Sequence, residues 1–503
     1  MSPAPSHLPA GEVFDPTAGG AGNLPSAWAR AWQAAPDAPQ IHTAERGWLS
    51  RGELEAESAL RAARLARLGL KPGERILLCA ESSWDLVASY VACHRLGLVV
   101  IPTNTAYGPR ELAHVVGDAR PRAALVDAPA HRSTLAEIDP ALHCLGPEID
   151  LPEGPTPRLD ASEPGSPALV CYTSGTTGRP KGAVLSHANC LASAEALRLA
   201  WRWSEADRLL LTLPLFHMHG LGVGLHGTLH TGGSAALYPR FDPDAIVADV
   251  EALEASLFFG VPTLYYRLAE HPRVEALARL RLCVSGSAPL PASLHNAIEA
   301  ATGQRILERY GMTETLMLVS NPYAAERRPG SVGWPLPGVE LRLAGEPAEI
   351  LVRGPNVFSG YWERPDANAE AFTPDGFFHT GDLGEQDAEG YVRIVGRAKE
   401  LIISGGYNVY PREVEDVLRG HPAIDDVAVV GEPSSEWGER VVAYAVASGP
   451  IGLDALRDFV GEALADYKHP RALYRVDTLP RNALGKVQKH RLVRGAIQPE
   501  GSG

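Results

Sequence analysis

Residues Tyr172-Thr-Ser-Gly-Thr-Thr-Gly-Arg-Pro-Lys-Gly182 concentrate hydrogen-bond donors in one short stretch. Hydroxyls stand at Thr173, Ser174, Thr176 and Thr177, glycines at Gly175, Gly178 and Gly182, and an ammonium at Lys181. Glycines let backbone N–H groups converge on an anion without Cβ interference, hydroxyls add donors, and lysine adds charge. That is the chemistry of a polyphosphate cradle. Two other readings stay open on these residues alone. A Gly/Ser/Thr-rich loop between strands can be no more than a hairpin. A P-loop would need Gly-Lys-Ser/Thr opening a helix, whereas Lys181 follows Pro180 and precedes Gly182.

Further polar stretches end apolar runs: Pro214-Leu-Phe-His-Met-His-Gly220, Ser285-Gly-Ser-Ala-Pro289 and Tyr310-Gly-Met-Thr-Glu-Thr315. Later come Thr380-Gly-Asp382, Gly396-Arg397, Ser404-Gly-Gly406 and Pro480-Arg-Asn-Ala-Leu-Gly-Lys486. Something must bring these together. Around them the chain alternates helical and strand-like spacing: a helix over Leu54–Leu68, a strand over Arg75–Cys79, a helix over Ser83–Leu96 and a strand at Val99–Pro102. The rhythm resumes after a Pro-rich link, with strands at Leu209–Leu213, Ser256–Val261, Leu280–Ser285 and Arg305–Tyr310 and helices between them. This is βαβ grammar, hence mostly parallel sheets covered by helices, with ligands expected at the carboxyl ends of strands. Beyond Pro335 the strands shorten. After Arg397 a small α/β unit follows, with helices over Arg412–Leu418 and Leu453–Tyr467.

Composition narrows the class. A chain of 503 residues exceeds one ordinary core, so two or more domains are expected. No apolar run approaches the ~20 residues of a bilayer span, and the N-terminus shows no secretory pattern, so the expected location is cytoplasmic. A net charge of −14 argues against nucleic acid as partner. The six scattered cysteines read as reduced core residues, not ligands. Among 46 basic residues only six are Lys, so a retained Lys can mark a place where a compact, flexible ammonium is wanted, with chance the plain reading for Lys71 and Lys489.

Taken in order, these motifs resemble the adenylate-forming superfamily of acyl-CoA synthetases, peptide-synthetase adenylation domains and luciferases, over about residues 28–495. The resemblance implies an α/β fold. Residues 1–396 would form a large N-terminal domain of two doubly wound subdomains plus a small β-barrel-like unit, and 397–503 a small mobile α+β domain hinged at Lys399. It implies ATP, Mg²⁺ and CoA as reactants and cofactor, and no obligate protein partner. ATP would be held by Thr173, Ser174, Gly175, Thr176, Thr177, Gly178 and Lys181 at the phosphates, and by Thr313 at the α-phosphate. Ser287, Ala288, Pro289, Glu308, Arg309, Tyr310, Gly311 and Met312 would surround the nucleotide, with Tyr310 stacked on adenine. Asp382 would take the ribose hydroxyls with Arg397 beside it, and Glu314 would hold the metal. Lys486, Thr176 and Glu314 would be catalytic, Lys486 as a mobile cation between the substrate carboxylate and the α-phosphate, in a loop with little to fix it locally. Gly405 and Gly406 would meet the pantetheine arm of CoA.

By the same resemblance the acyl pocket draws on His217, Arg267, Gly286, Ser287, Arg309 and Met312. A cation facing a small acyl group is costly unless paired, and the natural partner is a second carboxylate on the substrate. The run Glu308–Thr315, with Pro355-Asn-Val-Phe-Ser-Gly-Tyr-Trp362, is similar to malonyl-CoA synthetases. Malonate, or a 2-substituted malonate such as methylmalonate, is the expected acid. The rivals are another small, fatty or aryl acid, loading of a carrier protein, and a catalytically silent nucleotide binder. The plain alternative is that Arg309 is neutralised by Glu308, or that Arg267 points to solvent.

Overall fold

The computed structural model describes residues 6–17, 22–154, 157–173, 180–434, 436–482 and 485–492. It divides into two compact units, Met1–Leu341 with Val352–Phe378, and Arg342–Leu351 with His379–Gly503. Contact density thus groups residues 379–396 with the C-terminal residues, whereas the expected hinge at Lys399 concerns rotation, a different property.

The first unit is built on two sheets. One runs in the order Gly360–Tyr361, Lys181–Ser186, Pro167–Thr173, Val99–Pro102, Arg75–Cys79, Ala123–Val126, His143–Leu145. From Pro167–Thr173 onward its strands pair in parallel, and Lys181–Ser186 returns antiparallel on Pro167–Thr173. The second sheet has nine strands, with a parallel centre of Pro39–Thr43, Ser234–Leu237, Arg208–Leu211, Leu257–Gly260, Leu282–Ser285 and Leu307–Met312. Strands covered on both faces must be apolar at every position, which is why Val99–Val100–Ile101 and Leu282–Cys283–Val284 are buried throughout. Asp242 caps the helix Pro243–Ala252 by accepting from the Asp244 N–H, with Pro243 in the first turn, as its sequence predicts.

Two elements were not foreseen. Leu316–Ser320 is a strand that folds back antiparallel on Leu307–Met312. His219–Leu225 is a π-helix, a geometry often found at functional sites. Gly220 is required there, because a Cβ would lie 2.3 Å from the Pro214 carbonyl oxygen.

The Leu24–Ala34 helix lays Trp28 over a buried cluster of Tyr90, His94 and His226, with His187 against His94. Burial holds His187 down to about 4 and His226 down to about 3, and His94 lies well below the usual range. These rings fold neutral but become charged in the unfolded chain as pH falls below 6.5, so the unfolded state binds more protons and stability drops with pH. His187 and His226 each contribute a loss of about 2–3 kcal/mol by about pH 4.5, at 1.36 kcal/mol per unit, and His94 acts in the same direction. Urea melts between pH 7 and 4.5 should show this slope, and His94→Phe, which keeps the ring packing, should flatten it.

In the second unit a five-stranded sheet runs Tyr407–Val409, Ile402–Ser404, Gly438–Ala447, Ile424–Ser434, with Ala472–Arg475 parallel to Gly438–Ala447. Alternate residues face opposite sides. Val427, Val429, Val441 and Ala443 pack against the helices Pro411–Leu418 and Leu453–Gly461. Ala428, Val430, Val442 and Tyr444 are covered instead by Leu479 and Leu492, so the chain segment bearing Lys486 lies across the second face. The last helix stops at Gly461 rather than Tyr467. Ala463 and Leu464 both turn their N–H groups back onto the Val460 carbonyl, and a single 3-10 turn follows at Asp466–Lys468. All six cysteines are free and five are buried, as expected. Among the described residues no helix is long and apolar enough to cross a membrane.

Candidate active site

Ser174, Gly175, Thr176, Thr177 and Gly178 lie outside the described residues, but the strand ends that carry them are placed. Thr173 and Lys181 face each other in register. The Thr173 hydroxyl donates to Glu314 Oε1 at 3.2 Å, and the Tyr361 hydroxyl reaches the same oxygen at 3.2 Å. Lys181 Nζ sits 5.1 Å from the centre of the Tyr361 ring. Tyr361 therefore joins the loop to Glu314. It falls within the quoted run Pro355–Trp362, but no role had been read for it. That run also fixes the turn bearing Glu314. Asn356 Nδ2 donates to the carbonyls of Thr315 at 2.7 Å and Met317 at 2.9 Å, and the Phe358 N–H to the Glu314 carbonyl at 2.8 Å.

Among the described residues no cluster of three or more His, Cys, Asp or Glu could cage a metal. One carboxylate beside a hydroxyl, at a loop suited to phosphate, fits Mg²⁺, which takes few protein ligands and completes its shell with phosphate oxygens and water. Thr313 and the half-buried Tyr310, Gly311 and Met312 lie in the hairpin between Leu307–Met312 and Leu316–Ser320.

The residues expected at the acyl pocket are placed about the carboxyl ends of three strands. Gly260 pairs with Ser285 and Ser285 with Glu308, which sets Arg309 just beyond the row. Arg309 is 4% exposed, and its Nε and Nη2 have no hydrogen-bond partner among the described residues. Burial alone pushes its guanidinium down to about 9, so it stays charged at neutral pH. Glu308 does not neutralise it. Adjacent strand residues face opposite sides, and Glu308 Oε1 accepts the Leu290 N–H at 3.0 Å. Gly286 makes room for the guanidinium, since a Cβ there would lie 2.5 Å from Arg309 Cζ. His217 is held down to about 3 by burial and then by the Arg309 charge, and His219 is depressed for the same reasons. His219 Nδ1 lies 3.2 Å from the Ser287 hydroxyl. Arg309, Gly286, Ser287 and His217 are thus brought together, with His219 added. Ala288 is half-buried and Pro289 exposed on the following turn. Arg267 goes elsewhere: it is exposed, its guanidinium 4.8 Å from the Phe241 ring centre.

In the second unit, Asp382 is buried and in register with Arg397, whose Nε lies 2.9 Å from Asp382 Oδ1. Lys486 is close enough to feel both. Its residue surface is open to solvent, yet crowding by protein and then the Arg397 charge hold its ammonium below the usual lysine range. Its backbone is fixed, contrary to expectation. The Lys486 N–H donates to Asn482 Oδ1 at 2.9 Å, its carbonyl accepts the Asn482 N–H at 2.9 Å, and Arg481 bridges to Val487. Asn482 thus meets the Lys486 backbone with both its side-chain oxygen and its own N–H, as an asparagine in a turn can. Lys399 is exposed in the 3-10 turn Ala398–Glu400. Gly405 and Gly406 form the two-residue turn of a hairpin with φ of 58° and 82°, a left-handed pair that matches strand twist.

The model of the AMP-binding enzyme family matches residues 28–362, and that of the AMP-binding enzyme C-terminal domain matches residues 413–486. A feruloyl-CoA synthase of an Amycolatopsis species is 36% identical over 86% of this chain and 92% of its own length. A sulfoacetate–CoA ligase of Cupriavidus necator is 36% identical over 96% of this chain and 99% of its own. Among solved structures, ATP-bound MatB from Rhodopseudomonas palustris is 40% identical with a TM-score of 0.87, covering 94% of this chain and 98% of that one. A malonyl-CoA ligase in a ternary product complex with methylmalonyl-CoA and AMP is 41% identical with a TM-score of 0.66, covering 93% and 100%.

Proposed function

The chain belongs to the AMP-binding enzyme family and is an AMP-forming acyl-CoA ligase using ATP and CoA, and from that premise we propose that the acid it activates is malonate. The observation that carries this reading is the buried Arg309 guanidinium with two unpartnered nitrogens. An arginine fork of this kind takes a carboxylate in a bidentate grip, and malonate offers one carboxylate to that grip while the other reacts. A methyl group on the central carbon leaves both carboxylates in place, so methylmalonate is a second substrate of the same site.

The reacting carboxylate attacks the α-phosphate of ATP, held by Thr313, while the loop residues Ser174, Thr176, Thr177 and Lys181 take the leaving pyrophosphate. Mg²⁺ on Glu314 would draw negative charge from the phosphates. Tyr310 and Asp382 hold adenine and ribose, and Lys486 supplies the cation at the point of attack. Residues 397–503 then turn about Lys399, and the CoA thiol, guided past Gly405 and Gly406, displaces AMP from the acyl-adenylate.

A sulfonate would also meet Arg309, and the near full-length relative that acts on sulfoacetate makes that acid a second reading. Pyrophosphate release and CoA thioester formation, measured for malonate, methylmalonate, sulfoacetate, acetate and ferulate, decide between them. Malonate should give the highest kcat/KM. Preference for sulfoacetate would keep the anion grip and change the acid, whereas preference for acetate or ferulate would overturn both.

A further inference from the structure

Lys489 lies three residues beyond Lys486 and uses its ammonium on two separate elements. Its Nζ is 2.7 Å from Glu415 Oε1 on the helix Pro411–Leu418 and 3.2 Å from Glu400 Oε2 on the turn Ala398–Glu400. Glu415 is buried, and the same Oε1 accepts the Val429 N–H at 2.8 Å, so this end of the bridge is rigid. Glu400 is the residue next to Lys399 and acts electrostatically on Lys486 as well as on Lys489. On the far side of Lys486, Arg481 pairs with Asp426, so that end of the segment is also tied to the sheet.

We propose that Lys489 is a positioning residue which, through Glu400 and Glu415, locks the segment bearing Lys486 to the Ala398–Glu400 turn so that the two move as one piece. A turn at that element then carries the Lys486 ammonium with it instead of leaving it to find its place. Lys489 touches no reacting atom in this scheme. Its contribution falls on the step that needs Lys486, so this inference rests on the role proposed above for Lys486.

The test separates the two half-reactions. Acid- and ATP-dependent pyrophosphate release reads adenylation, and CoA thioester formation from a supplied acyl-adenylate reads the second step. Lys489→Met should lower adenylation at least tenfold and leave the second step within about twofold. Lys489→Arg should restore most of the loss. Removing Lys489 takes a cation from the buried Glu415 and weakens the fold there, so Glu400→Gln, at a half-exposed carboxylate, is the second variant. It should lower adenylation about threefold with the melting temperature unchanged. Adenylation unaltered in Glu400→Gln, or both half-reactions falling together with the melting temperature in Lys489→Met, would overturn the inference. Lys486→Ala is the control: if it keeps adenylation, the role given to Lys486 fails, and if it alone loses adenylation, only the Lys489 proposal fails.

Discussion

Arg309→Met should remove malonate activation while leaving the fold as stable as before or more so. The two effects have one cause. The guanidinium is buried among Gly286, His217 and His219, and among the described residues no carboxylate holds it. A buried charge without a partner costs several kcal/mol, and replacing it by an apolar side chain of similar length relieves that cost. Substrate supplies the missing partner. Truncating one member of a desolvated charge pair costs about 2–5 kcal/mol, roughly 30- to several thousand-fold in kcat/KM. The loss should fall on malonate and spare whatever weak turnover the enzyme has with acetate. Kinetics on both acids, beside a thermal melt, check this. Equal loss on both acids with a lower melting temperature would mark Arg309 as structural.

Why Arg309 was legible in the sequence and Arg267 was not is a matter of local geometry. Arg309 sits within the strand Leu307–Met312, where facing alternates strictly, so it points away from the side that Glu308 takes. Arg267 was expected in the acyl pocket by resemblance, and it lies on the helix Pro262–Ala269. A place on a helix does not fix where a long, flexible side chain ends, and the exposed Phe241-facing side offered an aromatic surface to lie on. The parallel strands were legible because burial on both faces leaves uninterrupted apolar runs. The π-helix His219–Leu225 was not, since Gly220 serves close backbone approach to Pro214, and Gly222 and Gly224 make room for Leu316 and Leu211, rather than following any hydrophobic period. Tyr361 was likewise hidden: its bond to Glu314 spans 47 residues, and no local pattern reports such a contact. Lys486 was legible as a cation but misread as loosely held, because the closure by Asn482 depends on backbone geometry.

The second large effect is expected from Lys486→Ala. Adenylation should fall by about 10²–10³, the range for removing one preorganised charge donor at a developing anion. Thioester formation from a supplied acyl-adenylate should survive, because the α-phosphate has by then lost its pyrophosphate and no longer needs that cation. The hydrogen bonds between Asn482 and Lys486 sharpen the expectation. If Lys486 hung from a slack segment, replacing it would release nothing but a side chain, and any loss could be recovered by an added amine finding the same place. With its backbone held by Asn482 and its ammonium set against Arg397 and Asp382, its position is prepared before substrate arrives. Preparation also sets a pH signature. Crowding and the Arg397 charge favour the neutral amine, so the cation is lost at a lower pH than the ordinary lysine value of 10.5. The alkaline limb of the adenylation profile should therefore fall below that value, and the limb should vanish from the residual activity of Lys486→Ala while the second half-reaction keeps its own profile. A profile unchanged by the substitution would assign the limb to another group and leave Lys486 without its role at the α-phosphate.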